Sequence, residues 1–236
     1  MSLNYMVSGQ MVEHVPKLLN PNTGQYVDPE QIAIWDGTKF VTVWPVAPSE
    51  QVHLFTTVGT TNLPIPAWAK FADVVVIGGG RGGNAGNSGF NTPGMGGQAA
   101  SWQTATWDLR TALVTTASIT VGDGGTGGQS GSQAGSNGQA TTVSTGQHSL
   151  TSPGATGTMG SRDAGSPGDI VYAGTTHVGG IGAPGSGAAA GGGSQPGAAS
   201  TAPGAGGPGG WGGFVGSYQR GGPGTRGQAW IRLRSA

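Results

Sequence analysis

The chain has no cysteine, which excludes a disulfide framework and a thiolate metal site alike. Its four histidines, His14, His53, His148 and His177, are scattered, and no two have the spacing of a zinc motif. Charge is scarce as well: Lys and Arg total 10, Asp and Glu total 10, together 8% of 236 residues with a formal net charge of zero. A balanced chain lacks the attraction on which sequence-independent nucleic-acid binding depends, so nucleic acid is not expected as a partner. No run approaches the ~20 apolar residues of a membrane span, and the opening MSLNYMVSGQMVEHV lacks a basic-then-apolar leader layout. Membrane insertion is not expected, and synthesis in a reducing cytoplasm is. Leu, Ile, Val and Phe number 9, 8, 18 and 5, or 17% of the chain, below the ~20% of an ordinary core.

Glycine fills the space left by the missing residue types. Gly 50 and Pro 15 together make 28% of the chain, a level at which disorder is the default reading. Disordered chains, however, are usually kept open by net charge, which is absent here. The glycines are also unevenly placed: residues 1–77 hold four, 78–121 ten and 122–236 thirty-six. Large apolar residues run the other way, with thirty of forty before residue 122.

Strand signals sit where the apolar residues are. Ile32-Ala33-Ile34-Trp35 and Phe40-Val41-Thr42-Val43-Trp44 flank an Asp36-Gly37 turn, which predicts a hairpin in a small N-terminal β-module over 1–48. Phe71–Ile77 is apolar on both faces except at Asp73, the pattern of a central strand. The C-terminal Gln228–Arg234 alternates strictly, with Ala229, Ile231 and Leu233 on one face. A strand after the glycine tract makes the tract an excursion that returns to a sheet.

Within the tract glycine recurs every third residue: Gly80, Gly83, Gly86, Gly89; Gly122, Gly125, Gly128, Gly131; Gly204, Gly207, Gly210, Gly213, Gly216. Three is the repeat of the polyproline-II helix, and glycine on its shared face lets backbones approach closely. The register is lost between runs, which excludes a collagen triple helix. The expected fold is all-β: the N-terminal module, then a domain over 49–236 with a β-sheet core (51–121 and 228–234). Into that core is set a large glycine-rich insertion (78–97 and 122–227) of packed polyglycine-II-like helices and loops.

Chemical motifs are weak by comparison. Gly78-Gly79-Gly80-Arg81-Gly82-Gly83 follows a strand and satisfies G-x-G-x-x-G, but the next ten residues cannot start the helix that would receive a pyrophosphate. A hydrolase would need two acids, most plausibly drawn from Asp108, Asp123, Asp163 and Asp169, whose spacing does not favour it. No enzyme activity, no metal and no cofactor are expected. The aromatics Phe90, Trp211, Phe214 and Tyr218 stand in glycine-rich surroundings and are candidate recognition anchors, whereas Trp102 and Trp107 are expected to cover the edge of the β-core. Arg220, Arg226, Arg232 and Arg234, with no acid after Gly206, predict a basic patch at the same end of the molecule.

Three segments together carry a family likeness: Pro66–Gly80 (PAWAKFADVVVIGGG), Ser118–Gly125 (SITVGDGG) and Gly221–Leu233 (GGPGTRGQAWIRL). They resemble the glycine-rich domain of minor tail proteins from phages of mycobacteria and related actinobacteria, over about residues 50–236. The resemblance implies a virion structural protein at the distal tail, assembled in the host cytoplasm, with an adhesin role in some members. The partners it implies are other tail-tip or baseplate proteins, a host cell-envelope glycolipid or polysaccharide, and further copies of the chain, a trimer among the forms. Trp35 and Trp44 of the N-terminal hairpin are the candidate tail-attachment residues. Two readings stand beside this one: a purely structural tail-tip subunit with its aromatics buried, and an envelope polysaccharide hydrolase.

Overall fold

The computed structural model describes residues 3–7, 10–14, 18–19, 26–27, 32–35, 37–38, 40–44, 50–87, 89, 92–110, 114–185, 199–213 and 216–236. Among them there is no helix of any kind, and every ladder is antiparallel. The fold is all-β. The chain divides into two compact units, Met1–Ser49 and Glu50–Ala236.

The first unit contains three two-stranded ladders: β1 (Leu3–Val7) with β2 (Gln10–His14), β3 (Leu18–Leu19) with β4 (Tyr26–Val27), and β5 (Ile32–Trp35) with β6 (Phe40–Trp44). The last is the expected hairpin. Gly37 lies in its turn at φ 104°, a region open to glycine and strained for other residues.

In the second unit, β7 (Glu50–Phe55), β9 (Phe71–Ile77), β10 (Trp102–Asp108) and β16 (Gln228–Arg234) form one sheet in the order β10-β9-β16-β7. A second sheet has the order β13-β12-β11-β8, from β8 (Gly59–Pro64), β11 (Thr116–Val121), β12 (Thr141–Ser144) and β13 (Ser149–Ser152). Val74, Val76, Ile231 and Leu233 from the first sheet pack with Ile119, Val121 and Val143 from the second. Each such side chain contributes about 1.5–3 kcal/mol when fully buried. β9 is central, as its apolar run requires, and the hairpin of β14 (Ile170–Tyr172) and β15 (Thr175–His177) meets the sheet on β10 and β16. Tyr172 reaches Thr106 at 2.8 Å, Arg232 donates to the Ala173 carbonyl at 2.9 Å, and the His177 ring meets Trp230 edge-on at 4.7 Å.

The C-terminal ends of β9, β11 and β13 and the N-terminal ends of β10, β12 and β16 all continue directly into glycine-rich chain. The segment 79–87 shows how this chain is held. Its amides at 79, 82 and 85 donate to the carbonyls of 139, 136 and 133, those at 80, 83 and 86 to 225, 222 and 219, and those at 81, 84 and 87 to 98, 95 and 92. Its carbonyls accept from 125, 128 and 132 on one side and from 207, 210 and 213 on another. A β-strand has two neighbours and alternates every second residue; this segment has at least five and repeats every third.

Close approach explains the glycines. A Cβ at Gly80, Gly83 or Gly86 would overlap the carbonyl oxygen of Ala205, Pro208 or Trp211, and one at Gly79 or Gly82 would overlap that of Asp123 or Thr126. The third row bears side chains: Arg81 donates to Asn84 Oδ1 at 3.1 Å, Asn84 Oδ1 accepts from the Gly135 amide at 3.1 Å, and Asn87 donates to Ser132 Oγ at 2.9 Å. The expected polyglycine-II helices are not seen as elements of the fold. The hydrogen bonds of segment 79–87 run to separate segments, and the segment is neither a helix nor a strand of the fold.

Side chains complete the pairing where no backbone acceptor is in reach. The amides of Gly179, Ile181, Gly182, Ala183 and Gly185 donate to Asp169, Thr201, Ser166, Ser200 and Asp163 respectively, at 2.7–2.9 Å. Leaving buried amides unpaired would cost about 1–3 kcal/mol each.

Candidate functional site

The segments turn at the end of the glycine tract remote from the sandwich. There the loops after residues 87, 129 and 211 are tied together. The Gly213 amide donates to the Asn87 carbonyl and the Ser132 amide to that of Gly86, while the Tyr218 hydroxyl donates to the Gln129 carbonyl at 3.1 Å. Loops fixed to a rigid scaffold are where recognition residues concentrate.

The candidate anchors are engaged within the protein. Trp211 is half-buried; its amide donates to Gln219 Oε1 at 3.2 Å, its carbonyl accepts from the Gln219 amide at 2.9 Å, and the Arg162 guanidinium carbon sits 3.9 Å from the centre of its ring. Tyr218 is half-buried beside it in sequence. Phe90 and Phe214 lie outside the described residues. In the first unit Trp35 is exposed at 58% at the end of β5; Trp44 closes β6, and its side chain lies outside the described residues. Trp107 is buried in the sandwich core and stacks on His148 at 5.4 Å, while Trp102 is partly buried on the opposite face of β10.

The expected basic patch is divided by the direction of β16, which runs away from the glycine tract. Arg232 and Arg234 lie on the sandwich, at 3.4 and 3.0 Å from the Asp73 carboxylate, and Arg232 also lies 3.5 Å from Glu50. Arg220 remains in the tract, where its Nε and the Nη1 of Arg162 are buried without a partner among the described residues. Arg162 carries no sequence signal that distinguishes it; the turn at 161–163 brings it to Trp211, and only the fold reveals the pair.

The four acids of the hydrolase reading are each engaged locally. Arg110 chelates Asp108 at 2.6 and 2.9 Å and, by these bonds, holds its carboxyl down to about 2. Asp123 accepts from the Gly124 amide, Asp163 from Gly185 and Asp169 from Gly179. The G-x-G-x-x-G run lies inside the segment lattice, where its amides are bonded to other segments and leave no phosphate cradle.

Residues 56–234 match the family model described as Glycine-rich domain. The chain is also similar to the Gene 32 protein of Mycobacterium phage L5, with 37% identity over 202 residues that cover 80% of this chain and 84% of that protein. The segment lattice that demands glycine at every close approach lies within the matched residues, and the chain belongs to the Glycine-rich domain family, with a phage protein among its relatives.

Proposed function

We propose that the protein is a structural component of a phage virion, a minor tail protein at the tail tip that contributes to host-surface recognition. The observation that carries this reading is the likeness, across four fifths of the chain, to a protein of a mycobacterial phage, together with the segment resemblance to glycine-rich minor tail proteins. The glycine lattice supplies what an exposed tail component needs: a body about 30 Å long for a ten-residue extended segment such as 78–87, rigidified by backbone bonds rather than by a large apolar core. The threefold repeat of those bonds supports a packing of polyproline-II type, in which each extended segment is bonded on several sides. In this reading the tied loops at the remote end contact the host envelope, the first unit joins the tail through Trp35 and Trp44, and no catalysis takes place.

A second reading, a structural subunit without receptor contact, is favoured by the internal engagement of Trp211 and Tyr218. Two measurements separate the possibilities. Immunogold labelling of virions with antibody against the chain is expected to decorate the distal tail; labelling of the head alone rejects the tail assignment. The Trp211→Ala, Tyr218→Ala double variant, folded, is expected to adsorb to host cells at least about tenfold more weakly than the parent chain. Unchanged adsorption removes these residues as the contact site, and adsorption by neither protein favours the structural subunit.

A further inference from the structure

The geometry points to a binding groove for a neutral saccharide on the flank of the second unit, at the junction of the sandwich and the glycine tract. The groove has a volume of about 340 Å³, at the small end of the range for ligand sites. No ionisable side chain lines it, so a charged ligand would lose hydration without gaining a counter-charge.

Its apolar surface comes from Trp102, Met159 and Pro167, all partly exposed. The indole N–H of Trp102 already donates to the Gly168 carbonyl at 2.9 Å. That bond fixes the ring, which packs against Ile77, Ala100 and Ala155 and remains partly exposed along the groove. Around it stand three polar groups: the Gln98 amide and the Ser101 hydroxyl, neither with a partner among the described residues, and the Ser166 hydroxyl. Ser166 Oγ accepts from the Gly182 amide, which leaves its own O–H to donate.

A sugar ring matches this arrangement, with C–H bonds on its face and hydroxyls at its edge. A purely aliphatic ligand would strip water from the three polar groups without replacing it. Of the backbone amides along the groove, those of Gln98, Ala100, Met159 and Gly165 are already bonded to Gly157, Gly204, Gly96 and Gly97, which leaves side chains as the main polar contacts. The assignment does not depend on the tail reading, since the groove is distinct from the tied loops at the remote end.

The test is saturation-transfer NMR on the full chain with maltose, cellobiose, lactose and mannobiose, beside a uronic-acid disaccharide and a proline-rich peptide. At about 10 mM ligand, transfer to at least one neutral sugar is expected. Gln98→Trp, which fills the groove from an exposed position, and Trp102→Phe, which retains a ring but loses the indole bond, should each weaken it at least about tenfold with the melting transition retained. Any of three results overturns the proposal: no transfer to any neutral sugar, transfer unaffected by Gln98→Trp in a folded protein, or transfer confined to the peptide or the acidic sugar.

Discussion

The amide of Gly83 donates to the carbonyl of Gly222 at 2.9 Å, and the amide of Gly222 in turn donates to Pro208 at 2.8 Å. Gly83 thus belongs to a lattice in which backbone meets backbone, and a Cβ there would overlap the Pro208 carbonyl oxygen. Gly83→Ala must displace main chain rather than a flexible side chain, and is expected to destabilise the second unit by at least about 3 kcal/mol, the upper range for overpacking. Gly160→Ala is the control: nothing lies within 4 Å of its Cβ position, and removing a glycine there should be neutral or stabilise by up to about 1 kcal/mol. Urea unfolding of both variants checks the pair. Equal effects would show that the tract tolerates side chains at its close approaches.

Asp73 is the one acid in the β9 run, and its position across from Arg232 on β16 and Thr106 on β10 explains its presence in an apolar strand. Its carboxylate is 2% exposed, accepts from Thr106 at 2.6 Å and faces Arg234 at 3.0 Å. Asp73→Asn leaves two arginines facing a neutral group. Both retain about a quarter of their exposure and can be partly rehydrated, so the expected loss is about 2–3 kcal/mol, below the 3–5 of a fully buried broken pair. Glu50→Gln, which removes the half-exposed partner of Arg232, should change stability by less than about 1 kcal/mol. Chemical denaturation distinguishes them, and equal losses would refute the importance of burial.

Much of this was legible in the residues. β9 and β16 follow from the apolar run of Phe71–Ile77 and the alternation of Gln228–Arg234, because a buried strand and a half-buried one leave different patterns. The recurrence of glycine every third residue corresponds to the spacing of the lattice bonds. The choice of partners was not legible: nothing local in Gly83 selects Gly222, since every glycine run has the same period and fits many registers. The capping of outer amides by Ser166, Ser200 and Thr201 was equally hidden, because serine and threonine at such density have the composition of a linker. The basic patch failed for a geometric reason. Sequence proximity grouped Arg220 with Arg234, whereas β16 carries the chain the length of the sheet between them.

Trp211 allows stability and recognition to be separated. With Arg162 lying 3.9 Å from its ring centre, Trp211→Ala forfeits a cation–π contact of about 1 kcal/mol at a half-exposed site, plus the apolar area of the ring. Arg162→Gln should lose the first contribution alone. Thermal melts of both proteins, with adsorption to host cells measured alongside, assign the role. If Arg162→Gln lowers the melting temperature without affecting adsorption while Trp211→Ala lowers both, the indole contacts the host directly; parallel losses in both variants would make the pair structural.

The hairpin of β14 and β15 is docked through a buried histidine. His177 is 5% exposed, lies between Trp102 and Trp230 with ring centroids at 6.2 and 4.7 Å, and has its Nε2 buried without a partner among the described residues. Burial lowers its pKa, opposed by a bond to the Tyr172 backbone. The facing sheet carries Arg232, bonded to the Ala173 carbonyl of the same hairpin, with Asp73 beside it and Asp169 at the hairpin base bonded to the Gly179 amide. The unfolded chain takes up the His177 proton at about pH 6.5, whereas the folded protein resists until a lower pH. The stabilisation is therefore complete above about pH 6.5 and declines as pH falls below it, until the folded group is protonated as well. The melting temperature is expected to fall between pH 7.5 and 5, and His177→Phe, which keeps an aromatic ring against Trp230, should flatten that slope. A His177→Phe protein with the parental slope would refute the assignment to His177.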